Sequence, residues 1–250
     1  MDYGVYLVTE AGLAGDRTTI DVVRDAVVGG VDVVQLREKT ASARERHDLG
    51  RNLRALTREA GIDLIVNDRV DIARAVAADG VHLGDDDVPV SVAREQLGED
   101  AVIGRSVSTV AGAEAAERAG ADYLGVGAVY RTGTKETDPE QTAIGLDRVR
   151  AVREAVNLPF VGIGGVGVDN AADVVAAGAD GVAVVSGIMG AQDPAEATQA
   201  LGASDPRVLV RHVLPNTLAP ITVQSTLNFG LAIIDLAALS FLGFGASGSA

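Results

Sequence analysis

Apolar residues recur along the chain in short β-branched runs, each followed by a longer stretch with helical spacing. The runs are Val5–Val8, Val33–Arg37, Leu64–Asn67, Val81–Leu83, Val102–Ser106, Tyr123–Gly127, Phe160–Ile163 and Val182–Val185. Between them lie segments rich in Ala, Arg and Glu, such as Ala41–Ala60 and Thr109–Ala119, which read as helices. Gly-x-Asp triplets punctuate the joins: Gly30-Val31-Asp32, Gly61-Ile62-Asp63, Gly120-Ala121-Asp122 and Gly178-Ala179-Asp180. A glycine just past a helix, followed by a strand, is the expected helix-to-strand connection. The rhythm predicts an α/β fold. Eight units at ~25 residues each fit a compact (β/α)8 TIM barrel. A doubly wound open sheet is the alternative, and the eight-fold count favours the barrel.

Composition changes this picture in two ways. The 250 residues contain no Cys, which excludes disulfides, thiolate catalysis and Cys-ligated metal centres, and only three His. The net charge is −14, which argues against nucleic-acid binding, because phosphate neutralisation needs Lys and Arg. Only two residues are lysine, Lys39 and Lys135, so any task needing an ammonium group falls to one of them. An Asp-rich, Lys-poor surface suits a salt-rich cytoplasm, where screening relieves self-repulsion. The first ten residues lack a basic segment followed by a long apolar one and read as a first strand, so a cytoplasmic location is expected.

In a barrel the chemistry sits where strands exit into the following loops. The second strand exits through Gln35-Leu36-Arg37-Glu38-Lys39. Alternation aims Gln35, Arg37 and Lys39 to one side, which suits phosphate or diphosphate; a strand-end ion pair is the plainer reading of Arg37. The third strand ends in Asn67-Asp68 and the fourth in His82-Leu83-Gly84-Asp85-Asp86-Asp87. Facing carboxylates on adjacent exits can share Mg2+. One of Asp85–Asp87 is expected to cap the next helix, and His82 to be a hydrogen-bonded interior residue. The fifth strand delivers Ser106 and Ser108. A long sixth loop carries Thr132, Thr134 and Lys135 and has the length of a lid. The seventh exit is Gly162-Ile163-Gly164-Gly165-Val166-Gly167, with Asp169 or Asn170 to cap the helix behind it, and the eighth is Val185-Ser186-Gly187. Gly-rich exits at these two positions are the usual phosphate seat of the architecture. The mouth therefore offers a metal-assisted anion site and a metal-free one, as for two phosphorylated ligands.

These residues, in this order over about residues 3–195, resemble the thiamine-phosphate synthase family. The resemblance implies a transferase of thiamine biosynthesis. It would condense 4-amino-2-methyl-5-pyrimidinylmethyl diphosphate with a thiazole phosphate, plain or carboxylated, releasing diphosphate. It also implies site roles. Gln35, Arg37 and Lys39 hold the diphosphate, and Asn67 the pyrimidine side. Asp68 and Asp87 bind Mg2+. Ser106 and Lys135 touch the diphosphate or its pyrimidine. Thr132, Thr134, Gly165, Val185 and Ser186 contact the thiazole phosphate. The catalytic set is Arg37, Lys39, Ser106 and Lys135. The family has Gln where this chain has Asp85. A thiazole tautomerase of the same superfamily is the alternative, and it needs no diphosphate–metal site.

The last 48 residues differ in kind. Residues 203–250 hold four charged groups and three of the four Phe, so residues 1–202 carry the whole net charge. Ala200-Leu201-Gly202-Ala203-Ser204-Asp205-Pro206, Arg211–Asn216 and Leu239–Gly245 resemble a fragment of a dipeptide/oligopeptide ABC-transporter permease. The resemblance starts near Ala197–Ala200 and implies that the barrel's last helix is cut short. The uncharged stretch Val213–Ile234 contains Pro215 and Pro220, a poor isolated membrane span. The expected division is a synthase-like barrel over 1–202 and an extraneous apolar tail over 203–250 without a role of its own. A membrane-associated or transporter-docked chain is the competing reading. Oligomeric state is not legible.

Overall fold

Eight parallel strands close into a barrel in chain order, the last pairing with the first, in a computed structural model that describes residues 3–132 and 143–202. The strands are β1 (Val5–Val8), β2 (Val33–Leu36), β3 (Asp63–Asn67), β4 (Gly80–Leu83), β5 (Val102–Val107), β6 (Tyr123–Gly127), β7 (Phe160–Ile163) and β8 (Gly181–Val184). Each lies within one residue of its predicted bounds. The β1–β8 pairing, Val5 against Val182 through Leu7 against Val184, rules out the open sheet.

The returns are helical. They are α1 (Thr19–Val28), α2 (Ala43–Ala60), α3 (Val70–Ala75), α4 (Val90–Leu97), α5 (Val110–Arg118), α6 (Gly145–Ala155), α7 (Ala171–Ala176), α8 (Ser186–Met189) and α9 (Pro194–Gly202), with a 3-10 turn at Ala11–Leu13. Local chemistry starts and stops them. Thr18 and Ser42 accept from the third backbone N–H of α1 and α2, and Asp21 and Glu45 reach back to the cap N–H groups. Gly61 ends α2 at φ 71° and Gly178 follows α7 at φ 111°, left-handed positions that favour glycine.

Strand alternation sorts the core into two layers. Outward residues such as Val5, Leu7, Val34, Leu64, Val81, Leu124 and Val182 pack under the helices. Inward residues Tyr6, Val8, Val33, Ile65, Tyr123, Val161 and Ala183 fill the barrel. The Asp of three predicted triplets has a structural task at the end away from the strand exits. Asp32 accepts from Val5 N at 2.8 Å, Asp122 from Ile103 N at 2.7 Å and Asp180 from Phe160 N at 3.0 Å. Arg94 and Arg153 pair with Asp122 and Asp180 and pin a helix to the same point. Asp79 does this for Leu64 N with Arg54. These pairs hold the barrel floor and leave the opposite rim to the site.

Residues 194–202 belong to this framework. Pro194, Thr198 and Leu201 of α9 are buried, and a Cβ at Gly29, just past α1, would stand 2.4 Å from the Ala195 carbonyl oxygen. Among the described residues no helix is long and apolar enough to cross a membrane.

Candidate active site

The strand exits open on a cavity of about 490 Å³. Every predicted site residue that the structure describes lines it: Gln35, Arg37, Lys39, Asn67, Asp68, Asp87, Ser106, Thr132, Gly165, Val185 and Ser186. Thr134 and Lys135 lie outside the described residues.

On the β2 side, alternation delivers what the sequence promised. Gln35 is buried in the barrel, and Arg37 and Lys39 rise above it into the cavity. Arg37 N donates to Thr9 Oγ1 at 3.0 Å, and its guanidinium pairs with Glu10. The ion-pair reading of Arg37 therefore holds, with the partner coming from the β1 exit, and Arg37 also lines the cavity. Glu38 points the other way and is buried, which pushes its carboxyl above the usual range; it accepts from Ala11 N at 3.0 Å. Two carboxylates thus tie the β1 exit to the loop carrying Arg37 and Lys39.

Asp68 stands in the left-handed region, φ 63°, with its N–H donating to His82 O at 2.8 Å. That turn brings its carboxyl into hydrogen-bond contact with Asp87. Burial, then the Asp87 carboxyl beside it, push Asp68 up to about 6, against the pull of Lys39 and Arg37. Two facing carboxyls in one half-buried place call for a shared proton or a cation. Asp87 is held in turn, accepting from Gly84 N at 2.6 Å.

The expectation that one of Asp85–Asp87 caps the next helix is not met. The N-cap of α4 is Pro89, without a side-chain cap. Asp85 instead pairs with Arg105 at 2.9 Å, so the acid at the family's Gln position is neutralised from β5. Asp87, not Asp85, faces Asp68.

Across the mouth, Gly164 and Gly165 lie at φ 94° and 65° beside Val166, Val185 and Ser186. A Cβ on Gly165 would meet the Arg131 carbonyl oxygen at 2.6 Å and Tyr130 Cβ at 2.7 Å, so only glycine fits. Asn170 does not cap α7 with its side chain; it turns back, donating to Gly165 O at 3.0 Å and accepting from Gly167 N at 2.9 Å, which fixes the Gly-rich turn. Asp169 is likewise not the cap, since the N-cap position is Asn170.

His82 is hydrogen-bonded inside the barrel as expected, yet it also lines the cavity, with Tyr6 and Ser108. Tyr6, Tyr123 and Glu10 were not singled out by sequence. Tyr6 and Tyr123 had a signal: an aromatic phenol at an inward position of a strand otherwise aliphatic or glycine.

Comparison with known proteins agrees with this geometry. A family model described as thiamine monophosphate synthase matches residues 5–188. The chain is 66% identical over 200 residues to the thiamine-phosphate synthase of Natronomonas pharaonis, spanning 80% of this chain and 94% of that one. The figure is 62% over 202 residues for the enzyme of Haloarcula marismortui, with 80% and 96% covered. The solved thiamine phosphate pyrophosphorylase from Pyrococcus furiosus superposes with a TM-score of 0.75 at 42% identity, covering 82% of this chain and 96% of that one. A second model, described as a binding-protein-dependent transport system inner membrane component, matches residues 190–249. It starts upstream of the predicted Ala197–Ala200 junction and overlaps α9, a helix folded as part of the barrel.

Proposed function

Because the chain belongs to the thiamine monophosphate synthase family, a transferase that joins a pyrimidine and a thiazole phosphate in thiamine biosynthesis, we propose that its mouth separates the two substrates by their anions. The diphosphate of 4-amino-2-methyl-5-pyrimidinylmethyl diphosphate lies over β2–β4, and the thiazole phosphate over β7–β8. The observation that carries this is the Asp68–Asp87 pair, set beside Arg37 and Lys39 on one side of a cavity whose other side is the Gly164–Gly165 cradle.

The chemistry follows from that division. The bond between the pyrimidine methylene carbon and the diphosphate oxygen breaks, and its electron pair leaves with diphosphate. Arg37 and Lys39 stabilise the charge that grows on the departing oxygens. The thiazole ring nitrogen then gives its lone pair to the methylene cation, forming the new C–N bond. No general base is needed for that bond. Asn67, at the end of β3, holds the pyrimidine side of that substrate.

The donor set of Asp68 and Asp87 fits Mg2+, a hard cation that commonly takes one or two carboxylates and completes its shell with phosphate oxygens and water. Among the described residues no third acidic or His side chain joins them. When bound, it supplies further neutralisation of the leaving group. Lys135, Thr132 and Thr134 are proposed to complete the two seats from the sixth loop.

The separation predicts divided kinetics. Gly165→Ala should raise KM for the thiazole phosphate by ~10-fold or more while KM for the pyrimidine diphosphate stays within about two-fold, because the added Cβ would collide with Tyr130 and Arg131 and distort the Gly-rich turn on that side of the mouth. Steady-state kinetics with each substrate varied in turn checks this. An equal rise in both KM values would contradict the division.

We also propose that residues 1–202 are the synthase and residues 203–250 contribute nothing to its chemistry. The match to the Natronomonas pharaonis enzyme supports this, since 94% of that protein is covered by 80% of this chain. Truncation after Gly202 should keep kcat within a few-fold. A truncated chain with an unchanged melting transition and lost turnover would make the tail part of the enzyme.

A further inference from the structure

A line of buried hydrogen bonds runs beneath the mouth, and no step above uses it. The Gln35 amide Nε2 donates to Tyr6 Oη at 2.8 Å. Tyr6 Oη and Tyr123 Oη lie 2.7 Å apart. His82 Nδ1 stands 2.9 Å from Tyr123 Oη, and His82 Nε2 stands 2.9 Å from Ser106 Oγ. Tyr6 and Tyr123 are fully buried and His82 is 8% exposed, while Ser106 reaches the cavity.

Space is cut for this line. A Cβ on Gly104 would lie 2.2 Å from the Tyr123 ring and 2.5 Å from His82 Nδ1. A Cβ on Gly125 would lie 3.0 Å from His82 Cε1. Glycine inside a strand weakens it and marks close approach by another group. Two such glycines on neighbouring strands, around one imidazole, make the line a constructed feature of the interior.

Counting hydrogens gives it a direction. A phenol has one hydrogen to give. With the Gln35 amide set so that Nε2 faces Tyr6 Oη, Tyr6 accepts there, and the acceptor left within reach of its own hydrogen is Tyr123 Oη. Tyr123 gives its hydrogen to His82 Nδ1. A neutral imidazole that accepts at Nδ1 carries its proton on Nε2 and donates it to Ser106 Oγ. The Ser106 hydroxyl hydrogen is then turned away from His82. Burial holds both phenols well above their usual range, so both keep the hydrogen this count requires.

We propose that this relay locks Ser106 as a hydrogen-bond donor to the substrate, with His82 and Tyr123 as positioning residues that act through it. The direction rests on the hydrogen-bond geometry together with the orientation of the Gln35 amide; the choice of ligand rests on the reading above, in which the Ser106 side of the mouth meets a diphosphate. Phosphate oxygens at neutral pH are acceptors. With the relay reversed, Ser106 would spend its hydrogen on His82 and show the anion only lone pairs.

The test has a substrate-free arm and a kinetic arm, both on the full chain. Long-range 1H–15N correlation spectra of the labelled protein at pH 7.5 report the tautomer of each of three His, and His47→Gln and His212→Gln identify the signal of His82. The expected pattern is neutral with the proton on Nε2, shifting toward a tautomer mixture in Tyr123→Phe. An Nδ1-protonated or doubly protonated His82 would overturn the proposal, and this holds even if the variant does not fold. In turnover, Tyr123→Phe and Ser106→Ala should each lower kcat by ~10- to 100-fold, and Ser106→Thr should retain most of it. Combining Tyr123→Phe with Ser106→Ala should cost no more than Ser106→Ala alone, because the relay acts only through that hydroxyl. Fully multiplicative losses would reduce Tyr123 to a packing role and end the proposal. A parent chain with no turnover would instead defeat the substrate reading, leaving the tautomer to decide the relay.

Discussion

Asp68→Asn lowers kcat by about 10²- to 10⁴-fold at saturating Mg2+ and leaves the fold intact. The amide keeps the size of the side chain but removes a charge from a place where leaving-group charge must be neutralised. The same substitution has an opposite effect on stability. Asp68 is held at about 6 in the fold, above its ordinary 3.8, first by burial and then by Asp87. A carboxyl raised on folding binds its proton more tightly in the native state, so its contribution to stability is present at low pH and is lost as pH climbs from about 4 through about 6. Above pH 6, in chelator, Asp68→Asn should therefore melt higher than the parent, and the gap should shrink as pH falls toward 4. Melting curves across that range and kcat with Mg2+ check both halves. A variant that is less stable at pH 8 and as active as the parent would remove Asp68 from its role. A gain in metal-free stability with loss of turnover is what a site built for a cation predicts.

Arg37→Met lowers kcat by about 10²- to 10³-fold with little change in KM for the thiazole phosphate. The aliphatic stem is retained, so packing above Gln35 is disturbed little, but the guanidinium that would meet the departing diphosphate is lost. Glu10 is left without its partner, an added carboxylate at the seat of an anion. Arg37→Lys should recover only part of the rate, because an ammonium lacks the planar fork that grips two oxygens at once. Glu10→Gln in the Arg37→Met background should recover part of it by removing the uncompensated charge. Single-turnover measurement of diphosphate release reads the affected step. An effect confined to KM for the thiazole phosphate would move Arg37 to the other seat.

Most of the barrel could be read from the chain because its signals are local. Strand runs such as Phe160–Ile163 and helix ends such as Gly61 depend on β-branching and backbone freedom that neighbours in space hardly alter. The rim residues were legible for a related reason: a strand exit fixes the side to which Gln35, Arg37 and Lys39 turn. What sequence missed depended on contacts between distant elements. Asp85 resembles a helix cap until Arg105, twenty residues on, is seen to take its charge. Glu10 is one acid among 35 until the β1 and β2 exits meet. The Tyr6–Tyr123–His82–Ser106 line needs four strands placed around one axis, and no spacing along the chain encodes it. Asn170 is a plausible cap by pattern, but the Gly165–Gly167 turn offers its side chain nearer partners.

The measurement that bears most directly on the whole account is 31P NMR of the full chain with pyrimidine diphosphate and thiazole phosphate, run with Mg2+ and again with excess chelator. The account predicts thiamine phosphate and inorganic diphosphate appearing one for one with Mg2+, and neither with chelator. Diphosphate left attached to the pyrimidine while the thiazole phosphate alone is altered, at a rate indifferent to the chelator, would contradict it and make the chain a thiazole tautomerase.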